Sequence, residues 1–201
     1  TSFFSSSLKC FSASLRNHPA QPGPVAWNGF YNPQFTMANM LVNTPFAAMR
    51  ERMDTTRRSG FYGTLDNVYM SAYVDNRYGD ALVVQGKAPR TPRTLQGNAV
   101  LDANVDMRYW SYCKARSIAD GAADACLFDE QVPQDASGRY TLVVSTEAAR
   151  PSNARAECGV AWMSWGVGDG IDNPHGGYMI HRHLRPAAGF ANSLWSTRKP
   201  G

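Results

Sequence analysis

Two stretches decide how this chain folds: Met107-Arg108-Tyr109-Trp110-Ser111-Tyr112-Cys113 and Tyr140-Thr141-Leu142-Val143-Val144-Ser145. In both, large aromatic or aliphatic side chains recur at every second position, the period of a strand that buries one face. They belong to an organising region, residues 105–165, that closes on Val160-Ala161-Trp162-Met163-Ser164-Trp165. The turn Asp135-Ala136-Ser137-Gly138 feeds the second strand, and Arg150-Pro151-Ser152-Asn153-Ala154 makes the corner before the third. The same period continues outward. Val68, Met70, Ala72 and Val74 alternate with Tyr69, Ser71 and Tyr73. After the turn at residues 75–80, Ala81-Leu82-Val83-Val84-Gln85 is expected to return as the second strand of a hairpin. Beyond the loop at residues 114–125 and the glycine-rich loop at 166–177, residues 178–184 read as a last strand. Strands dominate, so the expected class is all-β.

Residues 1–60 read differently, as an arm. Pro19, Pro22, Pro24 and Pro33 interrupt helices and ladders alike. Phe3, Phe4, Phe11, Trp27, Phe30 and Tyr31 are nevertheless too many aromatics for an idle linker, and they are expected to pack on the body or dock on a protein partner. Thr44 and Pro45 mark a helix start, Phe46, Met49 and Met53 follow at helical spacing, and Gly60 ends it. A second helix is plausible from Phe35 to Val42.

Composition excludes several classes. With 43% apolar and 18% charged residues, the 201-residue chain is globular. Its net charge of +4 is carried by scattered arginines, not by the basic stripe of a nucleic-acid reader. No apolar run reaches the roughly 20 residues of a membrane span. The first residue is Thr1, which fits a processed product or a fragment. Cys10, Cys113, Cys126 and Cys158 show no C-x-x-C spacing, which argues against a zinc ribbon or a thioredoxin-type site. Two disulfides in an oxidising compartment, Cys113–Cys126 and Cys10–Cys158, are the favoured reading; four buried reduced thiols are the alternative.

The framework motifs carry a resemblance. Residues 107–113, Asp129-Glu130-Gln131-Val132-Pro133, residues 135–145, Arg150-Pro151-Ser152-Asn153-Ala154, Trp162-Met163-Ser164-Trp165-Gly166 and Arg182-His183-Leu184-Arg185-Pro186 resemble bacterial, often exported proteins related to the domain-of-unknown-function 1214 family. Leu65-Asp66-Asn67-Val68-Tyr69 and Val84-Gln85-Gly86-Lys87-Ala88-Pro89 match the same pattern, so the likeness spans about residues 60–190. It implies a jelly-roll-like β-sandwich and a secreted or periplasmic location, and it supplies no catalytic residues. The expected organisation is therefore an arm with one or two helices over 1–60 and a β-sandwich domain over 61–201.

Three constellations bear on chemistry. His181 and His183 lie two apart in a strand and project from one face, with His175 just upstream; two or three imidazoles could hold zinc or copper. Histidines in a framework strand equally serve as satisfied polar residues. Asp169, Asp172 and Asn173 offer calcium ligands in a glycine-rich loop, without the EF-hand spacing. Trp110, Tyr112, Trp162 and Trp165 could stack a sugar, although core packing is the favoured role. No G-x-S-x-G motif is present, and the adjacent Asp129 and Glu130 make no glycosidase pair. The expected function is thus a non-catalytic extracytoplasmic binding or structural subunit, docking through its aromatic arm, with no resident cofactor. The alternative is a metal-dependent enzyme or small-ligand binder using His175, His181 and His183.

Overall fold

The computed structural model describes residues 25, 27–30, 32, 34, 66–116, 122–170 and 173–194. Both helices expected in the arm lie outside these residues, as do Phe3, Phe4, Phe11 and Tyr31. The described chain forms β1 (Asn28–Gly29), β2 (Asn67–Asp75), β3 (Ala81–Lys87), β4 (Met107–Ala115), β5 (Ala123–Phe128), β6 (Arg139–Ser145), β7 (Val160–Ser164) and β8 (Gly176–Pro186). They make a five-stranded sheet in the order β1-β2-β8-β4-β5 and a three-stranded sheet in the order β3-β6-β7. The core lies between them. Met107, Trp110, Tyr112 and Met179 enter from the larger sheet, and Leu142, Val144, Ala161 and Met163 from the smaller one. This is the expected all-β sandwich. Unlike an all-antiparallel jelly roll, it contains one parallel pair, β6 with β7.

β6 is more deeply set than its alternation implies. Tyr140, Leu142 and Val144 fill the space between the sheets, while Val143 packs the other way against Ala154 and Val160. The residues between β6 and β7 cover that outer face, so the strand is buried on both sides.

The hairpin expected from residues 68–85 does not form. β2 belongs to the larger sheet, paired with β8, whereas β3 pairs with β6 in the smaller one. Asp75 caps the connecting turn by accepting the Arg77 N–H at 3.0 Å, and the chain crosses between layers there. The reason is packing. Val74 of β2 meets Leu82 and Val84 of β3 in the same core cluster, and strands facing each other across a core belong to different sheets.

β4 and β5 extend further into their connection than residues 114–125 had promised, reaching Ala115 and beginning again at Ala123. Cys113 sits directly opposite Cys126, and the two form a disulfide with Cα atoms 4.1 Å apart. The second expected bridge is not made at its described end. Cys158 is a free, exposed thiol at the end of the 3-10 turn Ala156–Cys158, and its proposed partner Cys10 lies outside the described residues.

Part of the arm folds onto the body. β1 pairs with the edge of β2, and the Phe30 N–H donates to the Tyr69 carbonyl at 3.0 Å. The Phe30 ring stacks on Tyr69 at 5.5 Å, and Trp27 stands edge-on to Tyr112 at 6.0 Å. These two aromatics are engaged by their own chain.

Cys158 should react with an alkylating reagent in the native state, while Cys113 and Cys126 react only after reduction; peptide mass mapping decides this. Replacing both bridged cysteines with alanine should lower stability by about 3 kcal/mol in denaturant melts, the loop-closure value for a bridge of this span.

Candidate functional site

β8 is the middle strand of the larger sheet, hydrogen-bonded to β2 along one edge and to β4 along the other. Residues two apart on a strand share a face. Their registers set His181 opposite Tyr112 and His183 opposite Trp110. The two imidazoles meet, Nε2 to Nε2, at 3.0 Å.

Their partners assign the protons. The Leu194 N–H donates to His183 Nδ1 at 3.2 Å, so that nitrogen carries no hydrogen. A neutral His183 then holds its proton on Nε2 and donates it to His181 Nε2. His181 in turn holds its proton on Nδ1 and donates to the Ser111 carbonyl at 3.2 Å. The result is a one-way relay anchored on backbone at both ends. Burial lowers both pKa values, His181 to about 3, with the neighbouring His183 lowering it further, and His183 to about 4.

The expected histidine trio is not brought together. His175 precedes β8, exposed, its Nδ1 2.7 Å from Asn76 Oδ1. Six residues of extended strand separate it from His181 by about 20 Å. Among the described residues no three His, Cys, Asp or Glu side chains gather where they could hold a metal. In the His181–His183 pair, the space between the two Nε2 atoms is taken up by their own hydrogen bond.

Aromatic rings surround the pair. Tyr112 stacks on His181 at 4.1 Å between ring centres, and Trp110 stacks on Tyr140 at 5.0 Å. The Tyr112 and Tyr140 hydroxyls hydrogen-bond across the core at 2.8 Å, and burial raises both phenols, so they stay neutral. Gly86 makes room for this contact, since a Cβ there would lie 2.7 Å from the Tyr140 hydroxyl. Trp110, Tyr112 and Trp165 are thus core residues rather than a sugar platform. Beside them opens a cleft of about 340 Å³, lined by Lys87, Pro89, Asp106, Trp110, Tyr140, His181, His183, Phe190, Asn192 and Leu194. Trp110 is fully buried, and its indole N–H has no hydrogen-bond partner among the described residues. Asp106, at the rim, is bound by Arg90 through Nη2 at 2.8 Å and the backbone N–H at 2.8 Å. Arg90 holds the Asp106 carboxyl below its usual range.

The glycine-rich loop carries a cation of its own chain. Lys114, on β4 in phase with Trp110 and Tyr112, is wholly buried. Its ammonium donates to the Gly168 carbonyl at 3.0 Å and the Ala115 carbonyl at 3.2 Å, and lies 5.2 Å from the Trp165 ring centre. Between β4 and β5 the register slips at Lys114 and Ala115, leaving Asp124 as the extra residue of a bulge. Asp124 lies 3.6 Å from the ammonium and accepts from Arg116 Nε at 2.8 Å. Burial lowers the Lys114 pKa, and Asp124 works against that shift. Asp169 and Asn173 close the loop on each other, with the Asn173 N–H donating to Asp169 Oδ1 at 3.0 Å and the Asp169 N–H to the Asn173 carbonyl at 2.9 Å. Two of the three expected calcium ligands thus take part in loop closure near an ammonium, and Asp172 lies outside the described residues. Lys114 had been placed in a loop by its small polar neighbours; its phase with Trp110 was the available signal.

Asp129 and Glu130 also separate in role. They open the 3-10 turn Asp129–Gln131, where Glu130 accepts from the Thr94 N–H at 2.8 Å and the Thr94 hydroxyl at 2.7 Å. Asp129 is buried, which raises its pKa.

The histidine pair should make stability fall with acid. Above the ordinary histidine pKa of 6.5 neither folded nor unfolded chain binds protons at these rings. Below it the unfolded chain protonates first, and the loss grows until the folded rings titrate near pH 4 and 3. Urea melts at stepped pH should show a loss on the order of 3–5 kcal/mol per histidine. His181→Gln and His183→Gln should each flatten the slope; an unchanged slope contradicts the neutral relay. Lys114→Met, leaving Asp124 buried opposite a methyl group, should cost about 3–5 kcal/mol. Asp124→Asn added to it should recover part of that loss in the same melts.

No protein-family model matches the chain, and no curated protein matches it. Among solved structures, an uncharacterised protein from Burkholderia cenocepacia is similar at 19% identity and a TM-score of 0.42, over 68% of this chain. The chain spans 29% of that protein's length.

Proposed function

We propose that this protein is a non-catalytic, extracytoplasmic binding protein whose ligand enters the cleft beside His181 and His183. The observation that carries this reading is that Trp110, whose buried indole N–H finds no acceptor among the described residues, is one of the side chains lining an open cleft. A buried donor left unpaired costs about 1–3 kcal/mol, which a bound acceptor would return. The cleft volume of about 340 Å³ suits a small molecule. Binding is favoured over catalysis by the state of the surrounding groups. Imidazoles titrating near pH 3 and 4 are poor bases at neutral pH, and both phenols are held neutral. The Cys113–Cys126 disulfide and the resemblance to exported bacterial proteins support the extracytoplasmic placement. This reading moves the binding role from the arm to the cleft, because Trp27 and Phe30 are already packed on Tyr112 and Tyr69.

A thermal-shift screen of small polar and aromatic fragments tests it. Asn192 is exposed at the cleft mouth, so Asn192→Trp should fill the opening without disturbing the core. Fragments that raise the Tm of the native protein should fail to do so in that variant. A screen in which the two proteins respond alike would overturn the assignment.

A further inference from the structure

We infer that the cleft beside His181 and His183 takes a small organic carboxylate with an apolar body. The inference rests on the proposed binding role of that cleft and follows from which of its polar groups are free. The acceptors are already used. The Tyr140 hydroxyl is bonded to Tyr112, and Asp106 is held by Arg90 through both side chain and backbone. His183 Nδ1 accepts from Leu194, and His181 Nε2 accepts from His183. The groups left over donate. The Trp110 N–H has no partner among the described residues, and Lys87 extends from the end of β3, exposed, its charge adding to that of Arg90 on Asp106 without a hydrogen-bonded ion pair among the described residues. Asn192 adds an amide that can turn to either role.

A ligand that satisfies this wall must bring acceptors and, for Lys87, negative charge. A carboxylate supplies both in one group, and charge-assisted hydrogen bonds are the stronger kind. An ammonium ligand would face the indole N–H and Lys87 with the only wall carboxylate already neutralised by Arg90. A neutral amide would satisfy Trp110 and leave Lys87 unused. Beneath the polar groups the cleft is lined by the Pro89, Phe190, Leu194 and Tyr140 side chains, which suit an apolar or aromatic body.

Titration of the full chain with benzoate, benzamide and benzylamine, followed by calorimetry at constant ionic strength, separates these cases. Benzoate should bind about tenfold more tightly than benzamide, the scale of one charge-assisted bond, with benzylamine weakest. Lys87→Met should remove the preference for benzoate while keeping benzamide binding, and because Lys87 is exposed this variant should fold. Trp110→Phe, which retains the stacking but not the N–H, should weaken both by about tenfold. Binding of benzamide or benzylamine as tight as benzoate, or a preference unaltered in Lys87→Met, overturns the carboxylate class and leaves the cleft as a binding site. Binding by none of the three also overturns the class; the cleft itself falls only if the fragment screen against Asn192→Trp is silent as well.

Discussion

The pairing of β8 along both of its edges is the constraint on which the rest depends. Eleven residues, Gly176–Pro186, hydrogen-bond to β2 on one side and β4 on the other, so neither neighbour can slip without shifting the other. A one-residue slip would turn every inward side chain outward. In the observed register, His181 falls under Tyr112, and Gly177 leaves room for the Lys114 ammonium, which a Cβ would meet at 2.4 Å. The disulfide then locks β5 to the outer edge of β4.

The interior of this sandwich carries several polar groups, and the ones at its centre are handled by direction rather than by exposure. The two histidines form a relay whose ends are backbone groups, the two tyrosines pair across the sheets, and Lys114 finds carbonyls in the loop it supports. Buried polar groups persist when their hydrogen bonds are made in place. Against that background the unpartnered Trp110 N–H stands out, because its neighbours are satisfied and it lies in the wall of a cleft. That contrast gives the cleft its functional reading.

Histidines, lysines and acids here could be read for identity but not for company. His181 and His183 were legible as a same-face pair because strand periodicity alone dictates it. His175 was close in sequence, yet an extended strand carries neighbours apart quickly, and it ended beside Asn76. Asp124 was invisible because a bulge, not alternation, turns it inward. The surroundings of the loop at residues 169–173 were hidden for a similar reason, since Lys114 arrives from a strand far away in the chain.

By itself the sequence determined the class: alternating Trp, Tyr, Val and Leu at residues 107–113 and 140–145 dictate strands, and the spacing of Cys113 and Cys126 foretold a local bridge. These are short-range properties, written in the period of two and in nearness along the chain. Only the tertiary structure decided which sheet each strand joined, so that β2 and β3 became opposing layers instead of a hairpin. It also decided the protonation of the histidine pair, the burial of Lys114 and the unpaired donor on Trp110 beside the cleft. Those depend on partners brought from distant segments, whose identity is set by how two apolar faces close on one another and not by any local pattern.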